Sequence, residues 1–418
     1  MKVRRLSASA GQRADLRTGL RAGCPTVFHS SEAAPGDRGR ALGRAFPDRI
    51  RRTGAFYDRL FAVAGARPQD VADWGRAAFA HIGARAPELA EEIEGMARGA
   101  DLPPWRIAAL NARTEILGRF AARPQPECST VVHAPADGRP PVTAQTWDWH
   151  DGLRDGWFVW NIEHPDGRVV RTVTEYGIVG KIGVNAAGLG LHFNILGHDG
   201  DKCSTTRGSW LPVHVLARQV LDTCATVAEA VELASTVPVA ASSSLTLAGY
   251  ADHRASAATV ELSPVGTARL APRDDGFLLR TNHFVAPALA DGEAMGIADP
   301  HTYQRLAALQ RRTAELPQAP DRADLLAVLT CHGDEGAELC CHPRPAAAPG
   351  TRWETLATVS LDVAAGTLAV HPGGPCTLRN AAWTTVGRTD ATAPVGPAAD
   401  GRRAAQRRSA GSCRRTAG

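Results

Sequence analysis

The spacing of apolar residues changes near Pro126, and this change limits the folds that the chain can adopt. In the stretch APELAEEIEGMARG, Leu89, Ile93 and Met96 recur at i, i+4 and i+7, which is the spacing of one helix face. After Pro126 the apolar residues alternate, as they do in strands with one buried face. We therefore predict a mainly helical N-terminal segment followed by a larger region built on β-sheets.

The region after Pro126 alternates between strand and helix patterns. STVVH and PVTAQTW flank an Asp-Gly turn, and WFVWNIEH and RVVRTVTE flank a Pro-Asp-Gly turn, so both pairs read as hairpins. Helical patterns follow in LPVHVLARQVLDTCATVAEAVELAS and between Tyr303 and Leu329. Further strands are predicted at SLTLAGY, ATVELSP, GFLLRTNHF, WETLATVSLDV and GTLAVHPGG. This order favours an α+β fold in which sheets pack on each other with helices outside.

Charge is distributed unevenly along the 418 residues, whose formal net charge is +4. The last 43 residues hold eight Arg and two Asp, or +6, so the rest of the chain carries +4 − 6 = −2. The body is therefore not a basic nucleic-acid binder. The start of the chain lacks the apolar segment of a secretory signal, and no apolar run has the length of a membrane span, so we predict a cytoplasmic protein without membrane contact.

These patterns divide the chain into four parts. We predict a disordered leader over residues 1–27, a mainly helical α chain over 28–127, a catalytic β chain over 128–375 and a disordered basic tail over 376–418. The nine cysteines are an odd number, scattered along the sequence. In a cytoplasmic chain that pattern favours free thiols over a disulfide framework.

Cys128, in the stretch PQPECSTVV, is the first candidate for chemistry. A cysteine attacks as the thiolate, and an unperturbed thiol is mostly protonated at neutral pH, so it needs a base. Cleavage of the bond between Glu127 and Cys128 would give Cys128 a free α-amino group with a pKa near about 8, suited to take the thiol proton. The alternative is a small buried strand residue without chemical function.

Eight stretches in one order resemble the acyl-CoA:6-aminopenicillanic acid acyltransferase (isopenicillin N acyltransferase) family of N-terminal-nucleophile hydrolases. They are LNARTEILGR, ECSTVV, AQTWDWH, TEYGIVGKIGVNAAGLGLHFNIL, LPVHVLAR, LRTNHF, LCCHP and TVSLDV, within residues 28–375. The resemblance implies a four-layer αββα sandwich of antiparallel sheets. It also implies a precursor that cuts itself before the cysteine, and an enzyme that moves or hydrolyses acyl groups on amide nitrogen.

The resemblance assigns roles to four side chains. Cys128 matches the nucleophile, and Asp148 in TWDWH matches an aspartate that would hold the new α-amino group. Asn282 in TNH matches a donor to the tetrahedral oxyanion, and Asn194 in HFN stands where relatives place a second donor. The alternative for Asp148 and both asparagines is a turn or strand-end residue bonded to backbone.

The sequence departs from the family pattern at three positions. Cys341 stands where the family usually has an arginine, and cysteine supplies no fixed charge. His342 or Arg344 are candidates to replace that arginine. Thr146 occupies a position where the family often has asparagine, and Glu127 replaces the common glycine before the nucleophile.

The segment CHGDEGAELCCH also offers possible zinc ligands, but the spacing fits no standard zinc finger. The candidates are Cys331, His332, Cys340, Cys341 and His342. We therefore predict no metal and no cofactor. The glycine clusters GIVGKIG and GLG do not follow the phosphate-binding loop pattern either.

The sequence thus predicts an autoprocessing cysteine amidohydrolase or acyltransferase that acts through a thioester acyl-enzyme. Its partners would be a small-molecule amide or acyl-CoA-like substrate and its own cleaved fragments, held together as a heterodimer. The alternative is a catalytically weakened or inactive member that acts as a metabolite- or protein-binding module, and the missing arginine favours it. A plain peptidase is a weaker third option, because nothing marks an extended peptide groove.

Overall fold

The computed structural model describes residues 25–121, 128–333, 337–343, 346, 352–380 and 383–387. The predicted leader up to residue 24, Glu127, Arg344 and the predicted tail from residue 388 onward lie outside these ranges. Among the described helices, none combines the length and the hydropathy that crossing a membrane requires.

Six helices lie within residues 25–121, the described part of the N-terminal region, and five of them begin with proline. Proline suits the first helical position because its missing N–H would have no intrahelical partner there. The bounds are α1 Pro35–Ala45, α2 Pro47–Val63, α3 Pro68–Arg85, α4 Pro87–Gly99, α5 Pro104–Asn111 and α6 Arg113–Phe120. The predicted helix at APELAEEIEGMARG is confirmed as α4. A short strand, β1 (Val27–Ser30), precedes them and was not predicted.

Helices α1 and α4 approach each other closely at glycines. A Cβ atom at Gly39 would overlap the carbonyl oxygen of Glu92, and one at Gly95 would overlap that of Gly36. Any side chain at Gly39 or Gly95 would therefore force these helix backbones apart.

The larger sheet has eight strands in the order β1-β4-β5-β6-β7-β8-β9-β10 among the described residues. Its strands after β1 are β4 Trp157–Glu163, β5 Val169–Glu175, β6 Ile182–Asn185, β7 Leu189–Ile195, β8 Ser243–Ala251, β9 Arg254–Ser263 and β10 Gly266–Leu270. Neighbouring strands are antiparallel except β1, which runs parallel to β4.

The smaller sheet has six antiparallel strands in the order β11-β2-β3-β12-β13-β14 among the described residues. Their bounds are β2 Ser129–His133, β3 Val142–His150, β11 Phe277–Arg280, β12 Trp353–Asp362, β13 Thr367–Pro372 and β14 Thr384–Val386. Both predicted hairpins, β2–β3 and β4–β5, are confirmed. Each turn contains a glycine at φ +87°, Gly138 and Gly167, where other residues would be strained.

The two sheets face each other, and helices cover their outer sides. α8 (Val213–Thr223) and α9 (Val227–Thr236) pack on the larger sheet, whereas α11 (His301–Ala314) and α12 (Arg322–Leu329) pack on the smaller one. Two short helices, α7 (Asp199–Cys203) and α10 (Met295–Ala298), lie in the connections. Contacts between β12 and β6 and between β2 and β7 join the sheets. This arrangement confirms the predicted α+β, four-layer αββα sandwich.

Buried side-chain hydrogen bonds link the two sheets at the start of β2. Gln145 on β3 donates from Nε2 to the carbonyl oxygen of Phe193 at 2.7 Å. Thr130 on β2 donates to Oδ1 of Asn194 at 2.8 Å. Because leaving either buried group without its partner would cost about 1–3 kcal/mol, these bonds fix β2 and β3 against β7. They lie beside Cys128, the residue before β2.

The described fold continues past the boundary predicted at residue 375. Pro375–Asn380 forms a short 3-10 helix, and β14 pairs with β13 so that Val386 lies opposite Leu368. Val386 is buried. One buried side chain and backbone pairing are enough to form an edge strand. The low apolar content of this stretch therefore did not indicate a strand.

A buried carboxylate joins the N-terminal helices to the sheet-covering layer. Glu92 on α4 accepts hydrogen bonds from Arg38 on α1 and from Arg218 on α8, and the ion-pair distances are 2.5 and 2.9 Å. The three side chains are at most 2% exposed. The loss of one partner from such a group leaves an uncompensated buried charge.

We predict that Glu92→Gln lowers the free energy of unfolding by about 3–5 kcal/mol, since the buried guanidinium of Arg38 loses its counter-charge and that of Arg218 keeps only Asp222. Urea denaturation followed by circular dichroism measures the change. Glu91→Gln is the matched control, because Glu91 is exposed on the same helix. Equal stability of the two variants would show that the buried ion pairs do not hold α4 in place.

Candidate active site around Cys128

Cys128 lies directly before β2 and is 3% exposed. β2 is flanked by β3 and β11, so the end of β3 and the loop after β11 both reach the start of β2. The end of β3 brings Asp148 to the site, and the loop after β11 brings Asn282. The residue before Cys128, Glu127, was predicted to form the cleavage position with it and lies outside the described part of the chain.

Three side chains hold the main chain of Cys128, and we call Asn194, Asn282 and Arg305 the Cys128 clamp. The Cys128 N–H donates to Oδ1 of Asn282 at 2.9 Å. The Cys128 carbonyl oxygen accepts from Nδ2 of Asn194 at 3.2 Å and from Nη1 of Arg305 at 3.0 Å. The nitrogen and the carbonyl oxygen of Cys128 are therefore both held by side-chain hydrogen bonds.

The orientation of the Asn282 amide is set by its other partners. Its Oδ1 also accepts from Nη2 of Arg305 at 2.9 Å, and its Nδ2 donates to the carbonyl oxygen of Ile195 at 2.8 Å. A flipped amide would place a donor against a guanidinium and an acceptor against a carbonyl oxygen. In this uncleaved chain, Asn282 thus presents its oxygen to the Cys128 nitrogen and keeps one Nδ2 hydrogen for a further acceptor.

Asn194 comes from β7 of the larger sheet and is fully buried. Its Oδ1 accepts from Thr130, so its Nδ2 faces the Cys128 carbonyl oxygen. The structure therefore brings together Cys128, Asp148, Asn194 and Asn282, the four side chains selected from the sequence.

Arg305 on α11 is a site residue that the sequence reading missed. It is fully buried, and besides Cys128 and Asn282 it contacts the hydroxyl oxygen of Ser129 at 3.1 Å. The buried positions on α11 are Thr302, Arg305, Ala308, Leu309 and Thr313. The sequence did contain a signal for Arg305. It is an arginine at a core-facing position of an amphipathic helix, and such a buried charge requires partners.

His342 and Arg344 were the candidates to take the place of the family arginine at the position of Cys341. Within the described residues, the guanidinium that contacts Cys128 is that of Arg305, whereas His342 contacts Cys340 and Cys376. The proposal that His342 replaces the arginine is therefore wrong. Arg344 lies outside the described residues.

Asp148 is fully buried, and the Cys128 sulfur lies 3.9 Å from its main-chain carbonyl oxygen. Burial and the nearby Asp148 carboxylate raise the pKa of the Cys128 thiol to about 11, although Lys181 and Arg305 oppose this shift. The thiol is therefore protonated at neutral pH in the uncleaved chain and is a poor nucleophile in that state.

A buried cluster of charges lies behind the thiol. Glu175 forms ion pairs with Arg113 at 3.0 Å and with Lys181 at 3.3 Å, and it accepts a hydrogen bond from Tyr57 at 2.8 Å. Glu175 thus belongs to a buried set of ion pairs. Burial lowers the pKa of Lys181 to about 7, although Glu175 raises it. Lys181 is a second polar group near Cys128 that the sequence reading did not select.

Three further buried titratable groups, His150, His283 and Glu115, are neutral or structural. Burial lowers the pKa of His150 to about 4 and that of His283 to about 3, so neither carries a charge at neutral pH. Glu115 accepts from the N–H of Val213 at 2.8 Å, at the start of α8, and burial raises its pKa to about 7.

A cavity of about 340 Å³ lies next to the clamp. Most of its lining is apolar and includes Leu117, Ile195 and Met295, while Asp201 and Lys202 contribute charged groups. Because Ile195 also accepts the hydrogen bond of Asn282, the cavity wall and the clamp are directly connected. A cavity of this kind can hold an apolar group of modest size beside the clamp.

Two solved structures give weak overall matches. Penicillin V acylase from Agrobacterium tumefaciens is 16% identical with a TM-score of 0.42, covering 63% of this chain and 87% of that one. A mutant of conjugated bile acid hydrolase from Clostridium perfringens is 10% identical with a TM-score of 0.40, covering 63% of this chain and 93% of that one.

Sequence comparisons give a match of higher identity. It is 31% identical over 200 residues to acyl-coenzyme A:6-aminopenicillanic-acid-acyltransferase 40 kDa form of Emericella nidulans, covering 48% of this chain and 52% of that protein. The chain thus matches about half the length of this curated relative. The family model of acyl-coenzyme A:6-aminopenicillanic acid acyl-transferase matches residues 135–375, which include Asp148, Asn194 and Asn282 but begin after Cys128. Because this match spans more than half of the 418 residues, the chain belongs to the acyl-coenzyme A:6-aminopenicillanic acid acyl-transferase family.

Proposed function

We propose that this chain is an autoprocessing cysteine N-terminal-nucleophile enzyme that transfers or hydrolyses acyl groups at amide nitrogen. The observation that carries the proposal is the clamp, which holds the nitrogen and the carbonyl oxygen of one buried cysteine at the start of a strand. A structural cysteine needs no such arrangement, because its side chain alone would pack in the core.

Self-cleavage would begin with attack of the Cys128 sulfur on the carbonyl carbon of Glu127. The C–N bond of this peptide breaks as the C–S bond of a thioester forms, and the nitrogen takes up a proton to become an α-amino group. Water then hydrolyses the thioester, which leaves a new carboxylate on Glu127 and a free thiol on Cys128. The hydrogen bond that the Cys128 N–H donates to Oδ1 of Asn282 supports this step, because it holds the leaving nitrogen in place.

Cleavage would also supply the base that the uncleaved thiol lacks. The pKa of the thiol is about 11 in the intact chain. A released α-amino group has a typical pKa of about 8 and would sit on the same residue as the sulfur, so it can accept the thiol proton. The Asp148 carboxylate would favour the charged ammonium form, which fits the role implied for it.

The mature thiolate would attack the carbonyl carbon of an acyl donor, and the leaving amine or thiol would depart as the acyl-enzyme thioester forms. Asn194 and the second Nδ2 hydrogen of Asn282 are the proposed oxyanion donors. Water or an amine would then take the acyl group. The apolar lining of the neighbouring cavity favours an apolar acyl group, carried by a small-molecule amide or an acyl-CoA-like donor.

We propose that the two fragments remain together as a heterodimer. β1 pairs with β4, placing Val27 opposite Val159, so the N-terminal fragment contributes an edge strand to the larger sheet. Two buried ion pairs, Arg113–Glu175 and Glu92–Arg218, also join the fragments. Separation would expose these charges without partners.

A binding module without catalysis is the second candidate function. The protonated, buried thiol of Cys128 and the presence of Cys341 at the arginine position favour it. An uncleaved chain whose Cys128 resists alkylation would support this alternative, whereas rapid stoichiometric alkylation of Cys128 would exclude it.

The first prediction concerns self-cleavage. The purified protein yields two fragments, the larger of which begins at Cys128, and Cys128→Ala yields one intact chain because no sulfur is present to attack Glu127. Intact-mass analysis and N-terminal sequencing measure this. Cys224→Ala is the matched control, since Cys224 is also a buried free thiol. Cleavage in Cys128→Ala, or an intact wild-type chain, contradicts the proposal.

The second prediction concerns the clamp. Arg305→Lys slows the appearance of the fragment that begins at Cys128 by about tenfold or more, since the loss of about 1.4 kcal/mol of positioning energy has this effect. Lysine keeps the charge but not the planar fork that reaches Cys128, Ser129 and Asn282. A time course of cell-free synthesis followed by mass spectrometry measures the rate.

Arg311→Lys is the matched control for this experiment, because Arg311 is exposed on the same helix. Equal cleavage rates in both variants would remove Arg305 from the proposed machinery. Melting temperatures of the two variants, recorded in a Cys128→Ala background, separate slow cleavage from loss of the fold.

The third prediction concerns the acyl group. Leu117→Trp fills part of the cavity, so it lowers kcat/KM for long acyl chains relative to short ones by about tenfold or more. Straight-chain N-acyl 4-nitroanilides of increasing length provide the assay. Leu233→Trp is the control, because Leu233 is a half-buried leucine that does not line the cavity. An unchanged chain-length preference in Leu117→Trp would place the acyl group elsewhere.

A further inference from the structure

Two cysteines and two histidines from three separate segments meet at one point of the smaller sheet. His332 follows α12, Cys340 and His342 lie in the segment before β12, and Cys376 lies in the 3-10 helix after β13. Their ligand atoms all lie within 4.8 Å of one another. None of these residues belongs to the clamp, so the proposed catalysis does not account for the cluster.

The distances within this cluster fit a tetrahedron around one small ion. Zinc binds thiolate at about 2.3 Å and imidazole at about 2.0–2.1 Å, so a regular tetrahedron has S···S edges of about 3.8 Å and S···N edges of about 3.6 Å. The Cys340 and Cys376 sulfurs are 3.5 Å apart. The Nε2 atom of His342 lies 3.6 Å from the Cys340 sulfur and 3.3 Å from the Cys376 sulfur.

The fourth position is completed by His332, whose ring lies 5.1 Å from that of His342 between centroids. The sulfur–sulfur distance of 3.5 Å is far from the bond length of about 2.05 Å in a disulfide, so the two thiols are not bonded. Two thiolates and two imidazoles are soft ligands that suit zinc and are unsuited to calcium or magnesium, which take oxygen ligands.

The polypeptide around the cluster is held by bonds that do not involve the four side chains. The carbonyl oxygen of Cys331 accepts the N–H groups of Leu339 and Cys340, both at 3.0 Å. The N–H of Cys341 donates to the hydroxyl oxygen of Thr355 on β12 at 2.9 Å, and Thr146 on β3 donates to the Leu339 carbonyl oxygen at 3.2 Å. These bonds fix the loop that carries two of the ligands, which lowers the entropy cost of binding an ion.

We propose that His332, Cys340, His342 and Cys376 bind one zinc ion. All four coordination positions come from the protein, so the site is closed and structural and leaves no position for a substrate or a catalytic water. The ion ties the segment after α12 and the 3-10 helix after β13 to the loop before β12. This set differs from the candidates in the sequence: Cys331 bonds to the Ala337 carbonyl oxygen instead, and Cys376 replaces it from a stretch predicted to be a tail.

The test measures metal in the full-length protein as purified, by inductively coupled plasma mass spectrometry. The wild type contains about one zinc per chain, and both Cys340→Ser and Cys376→Ser lose most of it, because a serine hydroxyl is a much weaker zinc ligand. Cys203→Ser is the matched control and keeps its zinc, since Cys203 is exposed and far from the cluster in the sequence. The milder variant His332→Ala, at an exposed position, covers the case in which the cysteine variants do not fold.

A second measurement uses Co²⁺ as a probe of the ligand set. Chelation followed by Co²⁺ addition to the wild type produces the intense visible bands of tetrahedral cobalt and thiolate-to-cobalt charge transfer, and Cys376→Ser loses these bands. Removal of zinc also lowers the melting temperature, because ligand binding stabilises the folded state. Neither readout depends on self-cleavage or acyl transfer, so the zinc proposal and the proposed function fail independently.

Three results would overturn the proposal. The first is a wild-type protein without zinc that also shows no visible bands with Co²⁺. The second is an intact mass lower by two hydrogen atoms under non-reducing conditions, which would mean that Cys340 and Cys376 form a disulfide. The third is equal zinc content in Cys376→Ser and Cys203→Ser.

Discussion

The arrangement of the site depends on the hydrogen bonds that the guanidinium of Arg305 donates. This guanidinium comes from the helix that covers the smaller sheet, and it reaches the carbonyl oxygen of Cys128, the hydroxyl oxygen of Ser129 and Oδ1 of Asn282. Asn282 in turn bonds to Ile195 at the end of a strand in the larger sheet. A buried guanidinium is costly unless its donors are bonded, so helix, loop and both sheets are held in a single arrangement.

The charged groups around the thiol are buried and have opposing effects on its pKa. Asp148 raises the pKa of the Cys128 thiol, whereas Lys181 and Arg305 lower it, and burial itself favours the neutral thiol. Lys181 is held by Glu175, and burial lowers its pKa to about 7. Groups whose pKa values are moved this far cluster at functional sites more often than elsewhere. A change in any one of these charges therefore alters the protonation of the others.

The sequence predicted those features that depend on neighbouring residues. Alternation and Asp-Gly turns located the two hairpins, and helical spacing located α4. The features that it missed depend on distant contacts: β1 is a short parallel strand, and β14 contributes only one buried side chain, Val386. Arg305 and Cys376 each lie far in sequence from the groups that they meet, so neither local pattern nor spacing identifies their partners. The family resemblance supplied Asp148, Asn194 and Asn282, because it aligns positions that the fold brings together, whereas Cys128 was already a candidate from its own chemistry.

The hydrogen bond between Asn282 and the Cys128 nitrogen explains why one set of side chains could serve both self-cleavage and acyl transfer. Before cleavage this nitrogen is an amide that donates to Oδ1 of Asn282. In the proposed reaction it becomes an amine, which still carries hydrogens for the same acceptor and also gains a lone pair. The amine would therefore be held beside its own sulfur without any rearrangement of Asn282 or Arg305. Because the thiol is protonated until that lone pair exists, attack on other acyl groups would begin only after the chain has cut itself.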